Sequence, residues 1–477
     1  MLRKTKIVAT LGPASNDRSV LEKMIIAGVD VVRMNFSHGV KEDHIARAEL
    51  VRTIAKEQGR TVGVLADLQG PKIRVGKFAD GKITLKSGDA FILDAACALG
   101  NQQRVGLDYK ELPNDVVVGD TLLLDDGLIT MIVKSVKGAE IHTAVEHGGV
   151  LKNNKGINRK GGGLTAPALT EKDMEDIKTA AFIKADFIAV SFPRSGADMD
   201  LARDLMNKAG GKSQLVAKIE RAEAIPALDD ILDASDGIMV ARGDLAVEVG
   251  DAAVPGLQKK MIKAARAKNK FVITATQMME SMIASPIPTR AEVSDVANAV
   301  LDGTDAVMLS AETAAGSFPV QAIAAMARVC LEAEKEHAPT QDRRHGITGK
   351  NQMESSIANA VVFTASNMEI KAVAALTQSG MTALLVSRMN ITAPIYALTP
   401  LTETRRKVTL FRGVYPVRFA QKSVDPEVVL YAAEDELKRE GAVQDGDYII
   451  ITIGEPIGKA GGTNTMKIVK VGEHRGA

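Results

Sequence analysis

The residues best suited to chemistry in this 477-residue chain gather in three short segments. In AKIE, residues 217–220, Lys218 and Glu220 stand two apart and on a strand would face the same way. Such a pair can be a plain ion pair, or it can set a cation against an oxyanion and a carboxylate against a divalent metal. In ARGDL, residues 241–245, Asp244 follows an Arg-Gly turn. That turn lets a second carboxylate reach the same metal while backbone N–H groups near Gly243 approach an anion. Two monodentate carboxylates with waters and substrate oxygens suit Mg2+, which demands an octahedron and dehydrates reluctantly. The third segment, DLQGPKIR at 67–74, runs from Asp67 through a forced turn to Lys72 and Arg74. A strand cap, a turn and two solvated cations would explain it plainly. With Arg33, however, the same cations are enough to hold a phosphate. Taken together, the three segments read as metal-assisted phosphoryl transfer, in which positioning and charge neutralisation supply most of the catalysis.

Such residues need a scaffold that brings them together. Eight short β-branched runs, TKIVATLGP, GVDVVRMNFS, TVGVLADLQG, ADFIAVSFP, QLVAKIE, DGIMVARGD, KFVITATQMM and TDAVMLSAE, alternate with amphipathic helix-like stretches. This pattern predicts a (β/α)8 barrel over residues 1–70 and 169–340. Between the third and fourth units, residues 71–168 change to alternating strands punctuated by DDG, KG and GG. They predict an inserted small β-barrel domain that acts as a lid. After a polar linker, APTQDRRHGITGKNQ, residues 341–477 form a C-terminal α/β domain with strands KAVAALT, APIYAL, GVYPVRF and DYIIITIG. Its first strand runs into TQSGMT, where Thr377, Ser379, Gly380 and Thr382 make either a phosphate-binding helix N-terminus or an ordinary cap.

Barrel enzymes place their sites at the C-terminal ends of the strands. There this chain carries Arg33, Asn35 and Ser37; Asp67; Ser191; Lys218 and Glu220; Arg242 and Asp244; Thr276; and Ser310 and Glu312. One such residue is usually a helix cap; the full set is much harder to explain that way. Composition excludes other classes. Charge is balanced, with 60 Lys+Arg against 59 Asp+Glu, and aromatics are 3% with no Trp, so neither a nucleic-acid nor a membrane surface is expected. Cys97 and Cys330 are too few for a disulfide framework, which suits a cytoplasmic protein and places both in the core. No apolar run reaches bilayer length, and the basic start is broken by Gly12-Pro13. Neither GxxxxGK[ST] nor GxGxxG after a strand occurs, so any nucleotide is held another way.

In order and spacing, TKIVATLGPAS, VVRMNFSHG, DLQGPKIR, NNKGIN, VAKIERAEA, MVARGDLAVE, ITATQMMESM and PTRAEVSDVANAVLDGTDAVMLSAETAAG resemble the pyruvate kinase family along the whole chain. The C-terminal block resembles the bacterial branch activated by a nucleotide monophosphate or a sugar phosphate. The resemblance implies phosphoryl transfer from phosphoenolpyruvate to ADP, giving pyruvate and ATP. It implies Glu220 and Asp244 as Mg2+ ligands, with Mn2+ the alternative metal, and Lys218 as the cation on the phosphoryl group and enolate oxygen. Thr276 would orient the substrate carboxylate and the proton-donating water, with Ser310 and Glu312 as further members of the relay. Arg33 would touch the transferring phosphate, and Asn35 and His38 would lie towards ADP with Arg74. Lys155 on the lid would meet the ADP phosphates, and the backbone at Ala241, Arg242 and Gly243 would hold the carboxylate.

One departure matters. Where many members read Asp-Thr-Lys-Gly-Pro-Glu-Ile-Arg, this chain has Lys72 in place of the Glu that goes with a bound K+. A fixed ammonium there predicts that K+ is not required, although Asn35, Ser37 and Asp67 persist at K+-contacting positions and leave room for weak stimulation. Ala246, where ARGDLG is common, is expected to be tolerated. The resemblance also implies a homotetramer, and TQSGMT, residues 377–382, is the candidate effector-phosphate loop. Two other readings stay open: a barrel aldolase with Lys218 as Schiff base, and a sugar-phosphate sensor without catalysis.

Overall fold

The computed structural model describes residues 2–336, 352–420, 423–457 and 462–473, so the expected linker at 338–352 lies almost wholly outside the described residues. Eight parallel strands close a barrel: β1 (Lys6–Leu11), β2 (Val31–Asn35), β3 (Gly63–Asp67), β4 (Phe187–Val190), β5 (Gln214–Ile219), β6 (Gly237–Ala241), β7 (Phe271–Ala275) and β8 (Ala306–Leu309). Each pairs with its neighbours in sequence, and β8 returns to β1 with Lys6 opposite Ala306. All eight fall on the runs picked out by β-branched composition. Because helices cover the outside and side chains fill the inside, these strands are buried on both faces and read as continuous apolar runs.

Between β3 and β4 the chain leaves the barrel. It builds a six-stranded sheet that includes Thr121–Leu124, Ile129–Lys137 and Glu140–His147, plus a two-stranded pair of Lys82–Leu85 with Gly149–Lys152. A separate apolar core fills it, with Phe91, Leu122, Met131 and Ile141 fully buried. The only helix among its described residues is Leu112–Asp115.

The C-terminal block contains a five-stranded sheet of β9 (Ile370–Leu376), β10 (Ile395–Thr399), β11 (Val414–Arg418), β12 (Tyr448–Gly454) and β13 (Thr463–Lys470), in the order β11-β10-β9-β12-β13. The last strand, which the sequence reading does not contain, runs antiparallel to β12. The block closes the end of the barrel opposite the strand C-termini. Phe411 packs on Phe271 with ring centroids 6.1 Å apart, and the Phe271 ring occupies the space that a Cβ at Gly237 would need. Of the two cysteines Cys330 is a core residue, but Cys97 is only half-buried, its Sγ 3.3 Å from Leu99 O.

This junction is polar at its centre. Asp305, fully buried, accepts from Arg388 Nη1 at 2.9 Å, from the Arg412 N–H at 2.9 Å and from the Val272 N–H at 3.0 Å. Burial would raise the Asp305 carboxyl, yet Arg388 holds it below the usual carboxylate range. Removing one partner of a buried pair leaves an uncompensated charge and costs about 3–5 kcal/mol. Asp305→Ala is therefore expected to lower the calorimetric transition by on the order of 10 °C. Asp305→Ala/Arg388→Met should recover part of that loss, and equal transitions in Asp305→Ala and the parent would refute this account.

Candidate active site

The polar residues expected at the strand ends converge at one mouth of the barrel. Lys218, near the end of β5, is at the centre. Its ammonium lies 2.9 Å from Glu220 Oε1 and 3.2 Å from Asp67 Oδ1, and donates to Ser191 Oγ at 2.7 Å. Ser191 is held in turn by donating to Leu68 O at 2.7 Å. Burial alone would lower the Lys218 pKa, but Asp67 and Glu220 outweigh it and push it up to about 12. A lysine so firmly charged is the opposite of what a Schiff-base nucleophile needs, and the aldolase reading loses its support.

Asp67 ends β3 and is buried between two cations. Arg33 Nε donates to its Oδ2 at 2.6 Å while Lys218 faces its Oδ1, close enough for attraction but without hydrogen-bond alignment. Burial raises the Asp67 carboxyl; Arg33 and Lys218 reverse that and hold it low. Arg33 also donates to Thr10 Oγ1 at 3.1 Å, which fixes its guanidinium across the β1–β2 edge.

Glu220 and Asp244 fit a divalent metal. Glu220 Oε2 accepts the Phe192 N–H at 2.9 Å, leaving Oε1 towards Lys218 and the mouth. Burial raises its pKa and Lys218 lowers it, while the neighbouring Asp244 charge raises it again, so the two carboxylates repel across a gap that a cation would relieve. Among the described residues no group of three or more His, Cys, Asp or Glu is placed to hold a metal ion. A two-carboxylate donor set suits a hard ion that keeps waters, such as Mg2+, better than Zn2+ or Ca2+.

The three cations of DLQGPKIR and VVRMN go to different partners. Lys72 Nζ lies 3.0 Å from Asp244 Oδ1 and 3.6 Å from Asp126 on the inserted β domain. Burial lowers its pKa, but Asp244 and then Asp126 raise it above the ordinary lysine value. Gly70, at φ +68°, makes the turn that delivers it, and a Cβ there would run into Ser191. Arg74 instead turns to the inserted β domain, its Nη1 donating to Asn154 O at 3.1 Å, and its backbone bridges Gly156. Lys155 pairs with Asp125 at 2.6 Å within the inserted β domain, and His38 is exposed beyond β2. Asn35 Oδ1 accepts the Ser37 N–H at 3.0 Å.

Thr276, just past β7, has φ +68°, and Gln277 follows at +54°. For a β-branched residue this is a strained conformation, of the kind that persists where the surroundings over-determine it. Here they do. The Arg242 guanidinium, buried, donates to Ala275 O at 3.2 Å and Thr276 O at 2.7 Å and pairs with Asp295 at 2.6 Å. Arg242 is thus a positioning residue through its side chain, and neither that role nor Asp295 was apparent in the sequence. The Gly243 N–H, opening the helix Arg242–Val249, donates to Thr276 Oγ1 at 2.8 Å, joining the two groups expected around a substrate carboxylate. Glu312, expected in a proton relay, spends its oxygens on the Ser310 N–H at 2.6 Å and the Met279 N–H at 3.2 Å and acts as a loop anchor.

A closed (β/α)8 barrel whose mouth holds a permanent ammonium between carboxylates suited to Mg2+ is the arrangement of a phosphotransferase. Residues 2–323 match the family model for the pyruvate kinase barrel domain and residues 355–469 that for the pyruvate kinase alpha/beta domain. The chain is 55% identical over 459 residues to the pyruvate kinase of Haemophilus influenzae, covering 95% of this chain and 96% of that one. It is 52% identical over 476 residues to pyruvate kinase II of Salmonella typhimurium, covering 98% and 99%. It is 43% identical over 475 residues to the pyruvate kinase of Geobacillus stearothermophilus, covering 98% and 80%. The chain belongs to the pyruvate kinase family. It is accordingly an enzyme that passes a phosphoryl group from phosphoenolpyruvate to ADP, giving pyruvate and ATP. Among the described residues no helix is long and apolar enough to cross a membrane.

Proposed function

We propose that the chain performs this last step of glycolysis without requiring K+ and under allosteric control. The observation that carries the catalytic reading is Lys218, a permanently charged ammonium between Asp67, Glu220 and Ser191. Transfer breaks the bond between the enol oxygen and phosphorus and forms one to the terminal oxygen of ADP. Negative charge then stands on the enolate oxygen until a proton adds to the terminal carbon. Lys218 neutralises that charge and does not give up its own proton, because its partners hold the pKa near 12. Glu220 and Asp244 would hold Mg2+, which when bound would supply Lewis-acid chemistry at the mouth. Arg33, fixed by Asp67 and Thr10, faces the phosphate. Thr276 and the Gly243 N–H orient the carboxylate together with the backbone of Ala241 and Arg242, and Arg242 holds that loop. Arg74, Lys155, Asn35 and His38 serve ADP, the first two as the lid over residues 71–168 closes on the barrel of 1–70 and 169–340.

K+ independence rests on Lys72, whose ammonium stands beside Asp244 and is felt by Glu220. Asn35, Ser37 and Asp67 leave only a remnant of a K+ site, and Mn2+ can stand in for Mg2+. Pyruvate formation with Mg2+ in a buffer free of other monovalent metals tests this. Full turnover without K+ is expected, and strong K+ dependence would keep the enzyme and sink the role of Lys72.

Regulation falls to the block at 341–477. Thr377, Ser379 and Thr382 line a pocket with Leu376 and Thr463, and the Gly380 N–H is tied to Thr377 Oγ1 at 2.8 Å. A phosphate of a sugar phosphate or nucleotide monophosphate fits a loop of hydroxyls and N–H groups. Thr382, buried and 2.6 Å from Thr463 Oγ1, has no room for a second anion. Thr382→Glu is therefore expected to abolish activation, tenfold or more in half-saturating phosphoenolpyruvate, at unchanged basal kcat. Activation that survives the substitution would move the effector elsewhere. The enzyme works in the cytoplasm as a homotetramer, with no nucleic-acid or membrane partner.

A further inference from the structure

A cleft between the barrel helix Lys41–Glu57 and the C-terminal helix Thr402–Lys407 has no part in the transfer or in the TQSGMT loop. It encloses about 550 Å³, within the range of small-molecule sites. Six cationic side chains line it: Arg52, Lys56 and Arg60 from the barrel and Arg405, Arg406 and Arg418 from the C-terminal block. A chain of net charge +1 does not gather six cations in one concavity by overall composition.

These cations make almost no close ion pairs, and the buried carboxylate near them, Asp186, is shared between Arg406 and Arg52. Among the described residues only Arg60 has an ion pair, a distant one at 4.0 Å to Asp30, while its guanidinium donates to Ile25 O and Val29 O, each at 3.2 Å. Arg52 donates to Lys184 O at 2.7 Å and Arg405 to Thr402 Oγ1 at 2.8 Å, yet the Nε atoms of both are buried without any partner. The acidic groups that reach Arg52 are Asp186 and Glu49; Asp186 also faces Arg406, its Oδ2 is taken by the Val64 N–H at 2.9 Å, and burial pushes its carboxyl up to about 6, so a single weakened carboxylate serves several guanidiniums. Burial and then Arg406 weaken the charged form of Arg52; burial and then Arg418 and Arg406 do the same to Arg405. A set of guanidiniums that repel one another with buried donors unfilled is arranged for a polyvalent anion, since guanidinium forks match phosphate oxygens.

We infer that this cleft is a second effector-type site, binding a small phosphate-bearing anion between the barrel and the C-terminal block. The surroundings give such an occupant two lines of contact. Thr404, on the helix that carries Arg405 and Arg406, donates to Gln378 O of the TQSGMT loop at 2.6 Å. On the barrel side, Thr61 and Val62 of the cleft lead directly into β3, which ends at Asp67 between Arg33 and Lys218.

The test is calorimetric titration of the full chain with inorganic pyrophosphate, without divalent metal and with a chelator present. Arg406→Ser/Arg418→Ser is expected to weaken binding tenfold or more, and Arg418→Ser alone, at an exposed position, threefold or more. Thr382→Glu should leave this binding in place. Unchanged affinity in both arginine variants, or loss of all binding in Thr382→Glu, would overturn the inference. Competition with orthophosphate, a sugar monophosphate and a nucleoside monophosphate then separates the sources: the anion that displaces pyrophosphate at the lowest concentration identifies the occupant's class.

Discussion

Lys218→Met is expected to lower kcat about 10³-fold, equivalent to ~4 kcal/mol of transition-state stabilisation, with the KM for phosphoenolpyruvate changed by less than about tenfold. The asymmetry follows from where charge appears. In the ground state phosphate and carboxylate have several other cations and N–H groups to meet. Negative charge on the enolate oxygen exists only after the bond to phosphorus has loosened, and Lys218 is the ammonium at the centre of the mouth. Removing one preorganised donor to such an oxyanion costs about 10²–10³ in kcat, and a buried full charge belongs at the upper end. Lys218→Arg keeps the charge but cannot place a compact ammonium against Ser191 Oγ and Glu220 Oε1 together, so it should recover only part of the loss. With Lys218 gone, Glu220 loses a neighbouring charge that lowers its pKa and that would also repel Mg2+, so the Mg2+ concentration for half-maximal rate should not rise, and a loss of rate cannot be assigned to lost metal. Steady-state kinetics over a Mg2+ series checks this. A kcat within tenfold of the parent at saturating Mg2+ would remove Lys218 from the transition state.

Those residues were legible beforehand because their chemistry is unusual where it occurs. A strand buried on both faces has no ordinary use for Lys218 or Glu220, so AKIE stood out against its own element. The same contrast marked Asp67 at the end of β3 and Thr276 after β7. What did not show was which distant partner each would find. Arg33 and Asp67 meet because β2 and β3 pair with Asn35 opposite Asp67, a register fixed by barrel closure. Arg242 appeared as a backbone position because its side chain's partners, Asp295 and the carbonyls of 275 and 276, come from the next β-α unit. Glu312 was ambiguous for the same reason: a carboxylate at a strand end is equally suited to a relay and to holding two N–H groups, and here it holds two. The strand Thr463–Lys470 escaped notice because it packs on one side only, at a sheet edge, and alternates too weakly to stand out from a polar tail.

Lys72→Glu should cut turnover about 10³-fold in K+-free buffer and regain most of it as K+ is added, whereas the parent should respond to K+ by less than about twofold. Two unit charges 4 Å apart interact by about 4 kcal/mol at an effective dielectric near 20, which is about three decades if lost in the transition state. In the parent that positive charge is covalent. Lys72 Nζ stands 3.0 Å from Asp244 and 3.6 Å from Asp126, with Glu220 the next charge to reach it, so it offsets a local excess of carboxylates. Exchanging it for a carboxylate changes the sum by two charges and leaves an acidic site that favours a loosely held monovalent ion. Asn35 and Ser37, near the end of β2, then offer oxygen ligands to such an ion. The readout is the K+ titration and not the drop itself, because a merely structural lesion would lose rate without recovering it. Rescue by K+ and failure of rescue by Li+ at equal ionic strength would show a sized cation site. A deficit indifferent to K+ would mean that Lys72 acts through the lid contact to Asp126, and Asp126→Asn in the parent should then reproduce it.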